Sequence, residues 1–287
     1  DFDDLVVHEG FVPRILESII DLARGQSFEP SQFLEFFKEK FNYADEIWNH
    51  IFQTDLLPDA RKLLLAMATI EGKISLDNLK ILYQSIVGEY SHDTSLRFRH
   101  LHQLLEKTFI RTDKANNGYV VQISNPSIRD YLVRFAAADI DSICLLLNTA
   151  KFFSQIMFLW TFSSDQSATM EASAKTLRSH LVGGCRSEFI AALQRTVLGP
   201  DLLRADSAET DRIPTSVSFD ERLIEYCRTM EELGAVPDAE CLRGALKGIT
   251  AGWEHRQGQR KLAPDILRLV REKSIVSIEE LLTIAQS

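Results

Sequence analysis

The chain has no paired-cysteine motif, no long apolar run and no glycine-rich phosphate loop, and each absence removes a class of function. Its four cysteines, Cys144, Cys185, Cys227 and Cys241, are widely spaced and form no C-x-x-C. Neither a zinc site nor a disulfide framework is indicated, and reduced thiols in a cytosolic protein are the expectation. The most apolar stretch, Phe152 to Phe162, is too short to span a bilayer and carries Ser154 and Gln155, and no signal peptide opens the chain. The only Gly-Gly, Gly183-Gly184, runs into Cys185-Arg186 rather than into the Gly-Lys-Ser/Thr that cradles nucleotide phosphates. An acidic strand end of the Walker-B type is also missing, so hydrolysis of ATP by these residues is not expected. No Ser/His/Asp or Cys/His constellation assembles from spacing. His100 and His102 have no further His or Cys at ligand spacing, which argues against a metal.

What is present is an ordinary globular composition, 45% hydrophobic and 25% charged over 287 residues, enough for one or two domains. The net charge of -9 disfavours a dedicated nucleic-acid binder. Charge is unevenly spread. Up to Asp55, twelve Asp and Glu face only Arg14, Arg24, Lys38 and Lys40. From Pro58 to Phe135, eleven Lys and Arg against eight Asp and Glu give +3, which leaves -12 for the rest of the chain.

Hydrophobic periodicity divides the chain into three regions. Residues 1–57 read as three helices of a small bundle, roughly Val12 to Arg24, a second from Pro30-Ser31, and a third from Ala44 to about Thr54. Residues 58–135 run helix, short strand, helix, helix, strand, strand, helix. A hairpin turns on Asn116-Asn117-Gly118, and the order is that of a winged helix with the hairpin as its wing. Its third helix, around Ser95 to Lys107, is expected to bury Leu96, Leu101, Leu104 and Leu105 and to leave Arg97, Arg99, His100, His102 and Lys107 in solvent. In a DNA-binding protein those basic residues would meet phosphates or base edges. Residues 136–287 look almost wholly helical, with antiparallel, solenoid-like hairpins and a polar stretch, residues 199–218, as a loop or sub-domain boundary. The fold class expected is all-α with one small β-hairpin wing.

The chain starts at Asp1 without an initiator Met and drops directly into a helical pattern, so a fragment of a longer protein is expected. Three stretches then carry a family resemblance. Val120 to Phe135 reads VVQISNPSIRDYLVRF, His8 to Ile19 reads HEGFVPRILESI, and Glu46 to Phe52 reads EIWNHIF. Together they resemble the segment after the ATPase core of STAND NTPases, most closely a bacterial group, the third "novel STAND" class, found beside anti-phage genes. The resemblance implies a cytoplasmic regulatory and relay piece of a signalling ATPase. It implies ADP or ATP on an upstream core of the same chain, and no cofactor within these residues. Homo-oligomerisation on activation, a protein trigger at the C-terminal helices and no membrane partner go with it.

By the same resemblance Pro13 and Arg14 pack near the nucleotide, proline as a rigid apolar edge and arginine as a phosphate fork. Arg129 stands where related immune ATPases place a histidine of a Met-His-Asp motif against the β-phosphate of ADP. On the residues alone, Pro13-Arg14 reads equally as a helix start beside a solvated arginine. Arg129 reads equally as a surface position that should accept alanine readily. The alternative function is a winged-helix DNA-binding regulator with a helical effector or dimerisation domain.

Overall fold

The computed structural model describes residues 44–88, 92–106, 108–116, 118–199 and 219–238, together with the single positions 19, 20, 23, 29, 32, 33, 35, 36, 39, 240 and 242. Among the described residues it is mostly helical, with ten α-helices and one small antiparallel sheet. Of the expected helices before residue 44, the described positions are Ile19, Ile20, Ala23, Gln32, Phe33, Glu35, Phe36 and Glu39, all helical, and after residue 238 they are Glu240 and Leu242, also helical; the polar stretch 200–218 lies outside the described residues.

Two compact units emerge. The first comprises residues 1–68 and 72–136, and the second comprises residues 69–71 and 137–287. In the continuously described part of the first unit, helix α1, Ala44–His50, comes first, prolonged by a π-helical turn, Ile51–Asp55. Helix α2, Pro58–Ala68, follows, with Leu63, Leu64 and Met67 buried as its spacing requires. Strand β1, Ile74–Ser75, leads into α3, Leu76–Val87. Ser75 caps α3 by accepting from the Asn78 N–H, and Gly88 ends it at φ 73°, a left-handed turn that glycine takes without a Cβ clash.

Helix α4 spans His92–Glu106, and strands β2, Ile110–Ala115, and β3, Gly118–Ile123, form the hairpin. The sheet order is β1-β3-β2, with Ile74 and Thr112 both opposite Val121. Helix α5, Pro126–Ala138, closes the run. One expectation fails on α4. Leu96 is 51% exposed, and the face toward the core is Thr94, Phe98, Leu101 and Leu105, with Leu104 half-buried. The helix starts three residues earlier than its serine suggests, and Phe98, packed on Tyr83 at 5.6 Å, takes the inward position.

The second unit holds α6 (Ile140–Thr149), α7 (Phe153–Phe162), α8 (Glu171–Ser179), a π-helical turn (His180–Gly184), α9 (Arg186–Val197) and α10 (Phe219–Glu232). Helix α9 is packed by α6, α7 and α10. Its Phe189 stacks on Trp160 of α7 with ring centroids 5.2 Å apart, and the Arg178 guanidinium covers the same indole at 3.6 Å. Buried Gln155 organises the start of α7. Its carbonyl oxygen accepts from the N–H groups of Lys151 and Phe152, and its amide donates to Thr69 Oγ1. The polar Gln155 that breaks the apolar run therefore satisfies backbone donors that would otherwise be orphaned at a helix start. Among the described residues, no helix is long and apolar enough to cross a membrane.

A recurrent device finishes the helices. The last carbonyls of an α-helix have no intrahelical donor. Here arginines from distant elements supply one: Arg129 to Ala68 O at the end of α2, Arg195 to Leu147 O near the end of α6, Arg186 to Leu233 O just past α10, and Arg222 to Gly199 O just past α9. A guanidinium also complements the negative end of the helix dipole.

Candidate functional site

The candidate site is built around α5. The run Asn125-Pro126-Ser127 starts it. Asn125 Oδ1 accepts from the Ser127 N–H at 2.8 Å, and Pro126 occupies the first helical position, where a missing N–H costs nothing. Ile128, Tyr131 and Leu132 are buried. Ring contacts with Phe52 at 5.9 Å and 5.0 Å hold Tyr131 and Phe135. On the same helix, Arg134 makes a bidentate pair with Asp45 of α1, its nitrogen 2.6 Å and 2.7 Å from the two oxygens. The Tyr131 hydroxyl donates to Asn49 Oδ1 at 3.0 Å. Asp45 and Asn49 lie one turn apart on α1, and Tyr131 and Arg134 lie one turn apart on α5. Two helix faces are therefore joined by a two-point polar clasp over an aromatic contact.

The electrostatics follow from this packing. Burial pushes the Tyr131 phenol above its ordinary value, and the neighbouring Asp45 carboxylate adds to the shift. Burial also raises the Asp130 carboxyl, an effect that the Arg134 and Arg129 guanidiniums partly offset. Tyr131 therefore stays a neutral donor throughout the physiological range.

Arg129 is half-buried, and its Nε donates to Ala68 O at 3.0 Å. The residue that the resemblance assigns to phosphate thus also joins α5 to the end of α2. Pro13 and Arg14 lie outside the described residues, so the three assigned positions are not brought together among them. The clasp residues Asp45, Asn49, Tyr131 and Arg134 were not singled out by sequence. The signal available was the i,i+4 polar pair Asp45/Asn49 on α1, and it names no partner.

Comparison with known protein families, with curated proteins and with solved structures yields no match.

The face of α4 was the other candidate. Arg97 is exposed but pairs with Asp93 at 2.7 Å along its own helix. On the hairpin, Arg111 pairs with Asp113 at 3.1 Å, and Lys73 lies 3.7 Å from the same carboxylate. His102 Nε2 hydrogen-bonds Thr112 Oγ1 at 3.0 Å, which fixes α4 to β2. Lys107 lies outside the described residues. Beside this face an open depression of about 420 Å³ is lined by His100, Gln103, Leu104 and Glu106. On α4 Arg97 is thus matched by a carboxylate, and beside it Arg111 and Lys73 share Asp113. Among the described residues, no group of three or more His, Cys, Asp or Glu could hold a metal ion.

Proposed function

We propose that the chain is the regulatory and relay portion of a STAND NTPase. A helical bundle (residues 1–57) and a winged helix (residues 58–135) close over ADP held by an upstream ATPase core of the same protein, and the helical region from residue 136 receives a protein signal. The observation that carries this reading is the clasp of Asp45 to Arg134 and Asn49 to Tyr131. A lid that opens as one body needs internal ties firmer than its hinge, and these ties join the last bundle helix to the helix that bears the resembled motif. A nucleotide that prefers the closed arrangement and a trigger that prefers the open one then bias a single equilibrium from opposite ends. Opening permits exchange of ADP for ATP and assembly of subunits, and anti-phage defence is the setting the resemblance implies.

The test is direct. The isolated chain should turn over no ATP above a buffer blank, because it carries no phosphate-cradling loop, whereas a P-loop strand and helix should be encoded upstream of Asp1. In the parent protein, Asp45→Ala with Arg134→Ala should raise trigger-independent activity. Turnover by the isolated chain that is lost on a substitution within it overturns the reading.

The winged-helix DNA regulator is kept as a second reading for one reason, the +3 of residues 58–135 within an acidic chain. The pairing of Arg97 with Asp93 and of Arg111 with Asp113 weighs against it, since phosphate binding would have to displace both carboxylates. At physiological salt, a gel-shift titration should find no submicromolar affinity for duplex DNA. Submicromolar binding that weakens in the Arg97→Ala, Arg99→Ala double variant would promote the second reading over the first.

A further inference from the structure

The cysteines do not stay as far apart in space as they are in sequence. Cys144, in the middle of α6, and Cys185, at the junction of the π-helical turn with α9, lie with their sulfurs 2.8 Å apart across 41 positions of chain. Both are free thiols, Cys144 half-buried and Cys185 fully buried. The surroundings hold Cys185 in place. Its N–H donates to His180 O at 2.8 Å, closing the π-helical turn, and its own carbonyl accepts from the Phe189 N–H as the first turn of α9 forms. A disulfide needs a sulfur separation of about 2.05 Å, so closure asks for a movement of less than about 1 Å from fixed helices. A tetrahedral metal ion held by both sulfurs would keep them about 3.8 Å apart, since each metal–thiolate bond is about 2.3 Å, so the observed separation is too short for one.

We infer that Cys144 and Cys185 form a peroxide-sensitive dithiol site, which closes to a disulfide across the second unit. The oxidant is a neutral hydroperoxide. The half-buried Cys144 sulfur attacks the terminal peroxide oxygen and cleaves the O–O bond, giving a sulfenic acid and releasing water or an alcohol. Cys185 then attacks the Cys144 sulfur. The S–S bond forms, the S–OH bond breaks, and the hydroxyl leaves as water with the Cys185 proton. Two thiols are oxidised and one peroxide is reduced. Burial, reinforced by Cys144 and by the Glu188 and Asp141 carboxylates, pushes the Cys185 thiol up to about 12. The buried partner is therefore protonated at rest. The same carboxylates discourage anionic oxidants.

The experiment uses the full chain with hydrogen peroxide as the probe, followed by denaturation, alkylation and peptide mass spectrometry. Two of the four thiols should escape alkylation, and a Cys144–Cys185 cross-linked peptide should appear and vanish on reduction. The bridged chain should melt roughly 10 °C higher, as expected for a loop of this length. Cys185→Ser should leave Cys144 trappable by dimedone as the sulfenic acid, and Cys144→Ser should abolish the bridge while keeping the fold. Cys227→Ser should change none of this. Full alkylation of all four thiols after peroxide treatment, or a cross-link that joins other cysteines, overturns the inference.

Discussion

Trp48→Ala is expected to cost about 3–5 kcal/mol, the range for removing a large aromatic from a core. Trp48 is fully buried on α1 and meets Phe109, next to β2, with ring centroids 5.8 Å apart. It is thus an apolar counterpart of the Asp45–Arg134 clasp, alongside the buried Ile47 of the same helix. Urea unfolding should show the midpoint falling with little change in slope. Trp48→Phe provides the contrast. Among the described residues, the buried indole N–H has no hydrogen-bond partner, a burden of about 1–3 kcal/mol. Phenylalanine keeps a ring against Phe109 and removes that burden, so its net cost should fall near 1 kcal/mol. A loss under about 1 kcal/mol for alanine would mean that α1 is not docked through this contact.

Arg129→Ala is expected to lower stability of the isolated chain by about 1.5–3 kcal/mol, the value of a hydrogen bond from a charged group. Sequence alone suggested a tolerant helical position. The contact with Ala68 O reverses that, because alanine leaves the final carbonyl of α2 without its donor and the helix dipole without its complement. Arg129→Lys should be intermediate, keeping the charge but losing the planar fork. On the proposed function, alanine should also speed ADP release by the full-length NTPase by about tenfold or more, through loss of a phosphate contact of similar strength. The two roles separate experimentally. Thermal unfolding of the isolated chain reads the helix end, and nucleotide release by the parent reads the phosphate. A variant with lowered stability and wild-type ADP release would place Arg129 wholly in the architecture.

The legible parts of the fold were those written in local chemistry. Asn125-Pro126, the Ser75 cap and the alternating Val120, Val121 and Ile123 each carry their own start signal, and the elements stand where those signals put them. On α4 the rule of counting leucines failed, because Phe98 outcompeted Leu96 for the interior through its contact with Tyr83. Periodicity gives a face only to within the choice of which apolar residues share it. The α1–α5 clasp and the Cys144–Cys185 pair were not legible, since their partners lie 89 and 82 positions apart in one case and 41 in the other. No local propensity encodes such a meeting. The candidate site was legible only through the resemblance, and the packing adds to it the four clasp residues.

The arginines that finish the helices have a consequence for the chain as it is synthesised. A helix capped by its own neighbours is complete as soon as it leaves the ribosome. Helix α2 is not, because its last carbonyl waits for a side chain 61 positions downstream. At about 5–20 residues per second, that is a delay of roughly 3–12 s. Helix α6 waits similarly for Arg195, 48 positions on. The nascent chain therefore carries unfinished helix ends for seconds at a time, and a ribosome stalled within that window would present a first unit whose helix α2 is formed but not sealed.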